Sequence, residues 1–143
     1  MTIARVIAGR SVDGIVTCQT ATPVREAVGI LAERRIGGLP VLEGRRVVGI
    51  FTERDVIYRL AADGPAMLDG TVGKVMTAPP ITVTADTDVL AALALMTQRR
   101  FRHLPVVEGD EMIGFISIGD LVKFRIDRIE AEAEAMRTYI QSA

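Results

Sequence analysis

Two aspartates stand at matching places in a short motif. Gly49-Ile-Phe-Thr52-Glu-Arg-Asp55 and Gly114-Phe-Ile-Ser117-Ile-Gly-Asp120 both read Gly-x-x-[Ser/Thr]-x-x-Asp. At the start of a helix, a hydroxyl residue followed three positions later by a carboxylate is a capping box, which satisfies free backbone N–H groups. The same geometry can serve a ligand. A helix N-terminus offers N–H donors and positive potential to a phosphate. The Thr or Ser hydroxyl can bond a phosphate oxygen, and a carboxylate can accept from two vicinal ribose hydroxyls. A glycine just before them lets a ring come close to the strand. A ribonucleotide meets all three conditions, and the capping and ligand roles do not exclude each other.

Other reactive side chains are scarce. Cys18 is the sole cysteine and His103 the sole histidine. An internal disulfide is impossible, and zinc would have to be held mainly by carboxylates, so no metal site is assigned. Asp86 and Asp88 fall at a helix start, where acidic residues are favoured electrostatically. There is no P-loop, no Gly-x-Gly-x-x-Gly and no nucleophile elbow. No catalytic residue is assigned, and the expectation is a binding protein rather than an enzyme.

Composition narrows the class. The 143 residues are 49% hydrophobic and 24% charged, and 17 Lys and Arg against 18 Asp and Glu give a formal charge of −1. That balance excludes a disordered chain and gives no basic excess for nucleic acid. The longest runs free of charge, Gly14–Val24 and Val75–Ala85, are well short of the roughly 18–20 residues that span a bilayer. No continuous apolar block follows Arg5 and Arg10 as in a secretory signal, so a cytoplasmic protein without membrane contact is expected.

The motifs belong to a duplication. Leu39-Pro40-Val41 recurs as Leu104-Pro105-Val106, and the same offset aligns Thr17 with Thr82, Arg34-Arg35 with Arg99-Arg100, and Asp55 with Asp120. Ahead of each copy, Thr2–Ile7 resembles Thr71–Met76 at an offset four residues longer, which places an insertion near Gly9–Gly14. Each copy reads strand, helix, strand, strand, helix. Ile15–Thr17 and Ile81–Val83 are β-branched runs, and Thr22 and Thr87 are candidate N-caps. The first helices end near Arg35 and Arg100, where Arg34, Arg35, Arg99 and Arg100 complement the dipole. Pro40 and Pro105 make the residues before them extended. Turns fall at Glu43-Gly-Arg45 and Glu108-Gly-Asp110, and apolar strands follow at Val47–Phe51 and Met112–Ile116. Units this small bury marginal cores, so the copies should pack together and leave two equivalent clefts. The expected fold is α+β: two β-α-β-β-α repeats with pseudo-twofold symmetry, over 1–65 and 66–128. An amphipathic helical extension covers 129–143, with Ile126, Ile129, Ala133, Met136 and Ile140 along one stripe.

The repeat, Leu-Pro-Val, the duplicated motif and Val75-Met-Thr-x-Pro79 resemble a tandem pair of cystathionine-β-synthase (CBS) domains, or Bateman module, over roughly Thr2 to Arg128. The resemblance implies a module binding adenosine-containing ligands between its halves: AMP, ADP, ATP, NAD(H) or S-adenosylmethionine. It implies ribose at Asp55 and Asp120, with Thr52 and Ser117 by ribose or phosphate. It implies base contacts from Val16-Thr17 with Ile36-Gly37-Gly38, and from Ile81-Thr82 with Phe101-Arg102-His103. It also implies homodimers, which favours the C-terminal stripe as a contact with a second subunit over a helix that folds back on its own chain. Arg54 and Lys74 are phosphate candidates or solvated surface residues. His103 either senses a bound phosphate or is simply hydrogen-bonded at the cleft edge. Because Arg102-His103 is bulky and basic where Gly37-Gly38 is bare, the two sites should differ, with the second copy better suited to phosphate. The expectation is an energy or redox sensor that modulates a separate, unidentified protein. A structural or interaction module without nucleotide, or an S-adenosylmethionine binder, are the alternatives.

Overall fold

Residues 1–142 are described by a computed structural model. Helix α1 (Ile3–Ile7) and a single 3-10 turn at Val12–Gly14 precede β1 (Cys18–Gln19), α2 (Val24–Arg34), β2 (Gly38–Glu43), β3 (Arg46–Thr52) and α3 (Glu53–Asp63). After a second 3-10 turn, Pro65–Asp69, the pattern repeats as α4 (Val72–Val75), α5 (Val89–Arg99), β4 (His103–Glu108), β5 (Glu111–Ser117) and α6 (Ile118–Ser142). The fold is α+β, and the repeat is visible in the helices and hairpins of both copies. No helix among the described residues is long and apolar enough to cross a membrane.

The five strands run in the order β1-β2-β3-β5-β4. Each copy is a tight antiparallel hairpin, pairing Gly38 with Thr52 in one and His103 with Ser117 in the other. Gly44 and Gly109 turn the hairpins at φ 63° and 62°, the left-handed region a glycine enters without strain. Between the hairpins the ladder narrows to one pairing, Arg46 with Glu111. Leu39 and Val41, and their counterparts Leu104 and Val106, are fully buried.

Two local expectations shift. The β-branched run at Ile15–Thr17 pairs later, at Cys18–Gln19 on Val41–Leu42, and its counterpart shrinks to a single bridge between Val83 and Val106. Thr22 and Thr87 cap the preceding turns: their hydroxyls accept from the amides of Gln19 and Thr84 at 2.9 and 3.1 Å. The helix caps are Pro23 and Asp88, the latter accepting from Leu90 and Ala91. A short Thr side chain reaches back over its own turn as readily as forward, so local pattern leaves the two roles open. The ends of α2 and α5 are where expected, with Arg35 and Arg100 in left-handed conformations just beyond.

Core packing crosses between the copies. Ile3 and Val6 of α1 are buried with Val89, Met96, Leu104 and Leu121 of the second copy. Val72 of α4 is buried with Val24, Leu31, Leu39 and Phe51 of the first. The helix starts are tied the same way. The Val89 amide donates to the Met1 carbonyl (3.0 Å), the Val24 amide to that of Gly70 (2.9 Å). Each hairpin-and-helix unit is thus completed by a lead-in segment that is distant from it in sequence.

The motif glycines serve this packing and not a ligand ring. A Cβ built on Gly49 would lie 2.5 Å from Met76 Sδ and 2.9 Å from the Thr77 carbonyl oxygen. One on Gly114 would meet the Ile7 side chain at 3.1 Å and Val106 Cβ at 3.4 Å, with no backbone atom as close. Gly49→Ala must therefore push back a backbone segment, and it should lower the urea midpoint by an amount equivalent to about 1–3 kcal/mol. Gly114→Ala, where a flexible side chain can yield, should cost less. Equal losses would show that the Thr77 approach is not the constraint.

Candidate functional site

Both capping boxes form. The Thr52 amide donates to Asp55 Oδ2 (2.9 Å) and the Asp55 amide to Thr52 Oγ1 (3.3 Å). The Ser117 amide donates to Asp120 Oδ2 (2.8 Å) and the Asp120 amide to Ser117 Oγ (3.0 Å). Neither carboxylate turns into the core, and both are only partly buried. Their remaining contacts differ. The Thr77 hydroxyl donates to Asp55 Oδ1 at 2.9 Å, whereas the Arg10 guanidinium lies 3.5 Å from Asp120 Oδ2.

A cleft of about 850 Å³ opens between the copies on the Asp55 side, within the range of small-molecule sites. Its walls bring together Thr52, Arg54, Asp55, Ile81, Phe101, Arg102, His103 and Ser117 from the sequence-derived set. Val16, Thr17, Gly38, Lys74, Thr82 and Asp120 are not among its lining residues. The grouping is crosswise: the carboxylate of the first copy faces the Ile81 and Phe101–His103 segments of the second. The reason is the Val75–Pro79 lead-in, which pairs along β3 through Ile50 and Thr77 and carries Pro79, Pro80 and Ile81 past Asp55.

Thr77, Pro80, Arg35, Arg99 and Arg100 also line the cleft. Thr77 lies in the Met-Thr-x-Pro lead-in, legible as a motif but not as a partner of Asp55. The arginines at the ends of α2 and α5, read as complements of the helix dipole, reach the cleft because Arg35 and Arg100 bend the chain there in left-handed conformations. Five arginines face two carboxylates, Glu53 and Asp55, so the lining is net positive and suits an anion. Arg54 is held in place, its guanidinium donating to the Arg100 carbonyl across the rim at 2.6 Å. The amide of Glu53 at the start of α3 donates to the Gly37 carbonyl (3.1 Å), so together with the Asp55 cap it leaves the Arg54 amide as the first-turn donor open to an anion.

His103 explains the bare glycines. A Cβ on Gly38 would lie 3.0 Å from His103 Nδ1, and one on Gly37 would lie 3.4 Å from its Cε1. The imidazole stacks on Phe115, with ring centroids 5.5 Å apart and planes 10° off parallel. Burial pushes its pKa below the usual 6.5, the positive charge of Arg102 adds to that, and Asp120 and Glu53 oppose it. Cys18 is buried away from the cleft, and burial raises its thiol to about 11, which keeps it protonated and unreactive.

The comparisons agree with the duplication. The family model for the CBS domain matches twice, over residues 10–62 and 72–127. A mitochondrial CBS domain-containing protein of Arabidopsis thaliana, CBSX3, is 37% identical over 139 residues, covering 93% of this chain and 68% of its own length. Other relatives from that plant are longer, and the chain spans only 21% of one that is 39% identical. Among solved structures, a CBS-domain protein of Agrobacterium tumefaciens is 33% identical with a TM-score of 0.80, covering 87% of this chain and 99% of its own. CBSX2, solved in complex with AMP, is 25% identical with a TM-score of 0.75, covering 88% and 96%.

The position of His103 predicts a pH dependence. The folded state favours the neutral ring, so between the lowered value and 6.5 the unfolded chain binds more protons. Stability then rises with pH through that window and is lost as pH falls below about 6.5. Melting temperatures from pH 7.5 down to 5.5 should fall, and His103→Gln should flatten the slope. An unchanged slope in the variant would assign it to other groups.

Proposed function

The chain belongs to the CBS-domain family as a tandem pair, and on that footing we propose that it binds an adenine nucleotide between its two copies and passes the occupancy on to a separate protein. The observation that carries this reading is the Asp55 cleft. An outward-facing carboxylate, an apolar wall of Ile81 and Phe101, and a rim of arginines sit in one space. They match, in order, the ribose, the base and the phosphates of AMP, ADP, ATP or NAD(H). The arginines oppose the cationic sulfonium of S-adenosylmethionine, so that ligand fits less well. The AMP complex of CBSX2 supports the same class of ligand.

Occupancy has a means of acting at a distance. The two hairpins are joined by one strand pairing and by the crossed lead-in helices, so a ligand lying between them bears on their relative placement. A ligand touching both copies favours one placement by its differential affinity, and a partner can read that change. The reader of that change is taken to be a separate protein.

The partner surface is assigned to a second copy of this chain. Ile57 on α3 and Val122 on α6 are equivalent positions in the repeat, exposed to 62% and 44%. Tyr58 on α3 and Ile126, Ile129, Met136 and Ile140 on α6 are exposed as well. Apolar side chains exposed at equivalent positions of two pseudo-symmetric helices suit the self-complementary contact of an isologous dimer. Ile57→Lys combined with Ile126→Glu should convert a dimer to a monomer in sedimentation velocity. A variant as dimeric as wild type would place the contact elsewhere.

Nucleotide binding is tested by thermal shift. At about 100 times its Kd a ligand adds ~2.7 kcal/mol, a rise of several degrees for a chain of this size. AMP, ADP or NADH should raise the melting temperature, and Asp55→Ala should weaken the response at least ~tenfold through loss of charge-assisted bonds. A flat response to every nucleotide would favour an interaction module without ligand.

A further inference from the structure

Duplication should give two clefts of the same chemistry, yet the residues that would face a ligand differ on the two sides. By the repeat offset, Arg54, Arg102 and His103 correspond to Gly119, Gly37 and Gly38. Three side chains that line the Asp55 cleft are thus matched in the repeat by glycines, two of which, Gly37 and Gly119, line the same cleft. The carboxylates diverge as well. Asp55 has a neutral hydroxyl beside it, a group that a ribose hydroxyl can join or replace. Asp120 has a guanidinium, from an arginine carried by the longer lead-in of the first copy. That pair is partly solvated, at 46% and 35% exposure, and worth little to stability. It nonetheless sets a charged donor where a ribose would have to donate. By the repeat offset, Gly38 is on the base side of the same position, and the His103 ring lies over it, 3.0 Å from where a Cβ would stand.

Taking the nucleotide reading above as its basis, we propose that each chain takes one anionic nucleotide, in the Asp55 cleft, and that Arg10 and His103 stand in for a ligand at the Asp120 position. The duplicated fold then works with one regulatory site and one self-filled site. Arg54 and Arg102 are the residues that select for phosphate.

Native mass spectrometry and isothermal titration of the full chain with ADP test this. One ADP per chain is expected. Asp55→Asn should weaken ADP at least tenfold, and by more than Asp120→Asn does; the Asn side chains keep a helix cap, so folding is retained. Two ADP per wild-type chain, or a larger loss in Asp120→Asn, overturns the single-site inference and leaves nucleotide binding standing. No ADP, AMP or NADH bound at any concentration overturns the nucleotide reading, and this inference falls with it.

Discussion

The crossed packing of the two lead-in segments is the constraint on which the rest of the molecule depends. A hairpin with two helices buries too little apolar surface to stand alone. Here each one is closed by a short helix from another part of the chain, Ile3–Ile7 for the second copy and Val72–Val75 for the first. The exchange binds the copies together without a broad sheet between them. It also decides the composition of the cleft. The segment that closes the first copy must run along β3 to reach the second, so Thr77 comes to rest on Asp55 and Pro80-Ile81 beside it.

The motif does two jobs with one carboxylate. Asp55 Oδ2 accepts from the Thr52 amide and hydroxyl, which fixes the start of α3, and Oδ1 points to where the lead-in and the cleft meet. A cap of this kind keeps the carboxylate oriented before any ligand arrives, so little side-chain entropy is left to lose on binding. Preorganisation extends to Arg54, tethered to the Arg100 carbonyl. Structural and ligand-facing roles therefore coincide, and the motif by itself does not separate them.

Copies that share a backbone need not give equivalent sites. Backbone geometry is kept from one copy to the other, down to the capping boxes, the left-handed arginines and the glycine turns. Side-chain chemistry is not, and a histidine in one copy is matched by the glycine that makes room for it in the other. Packing at a pseudo-twofold axis encourages this pairing of large with small, because two bulky residues at equivalent positions would collide there.

The sequence by itself determined the duplication, the order of elements in each copy, the hairpin turns and the two capping boxes. All of these rest on local chemistry: an offset between identical residues, a glycine with positive φ, a hydroxyl three residues before a carboxylate. It also marked some of the cleft residues, including Thr52, Asp55, Phe101 and His103. Tertiary structure decided which of them meet. Asp55 faces the second copy's Ile81 and Phe101, Asp120 pairs with Arg10, and Gly49 yields to Met76 and Thr77 and not to a ligand. Those contacts join residues far apart in the chain, and their partners are chosen by how the lead-in segments cross, which no local spacing records.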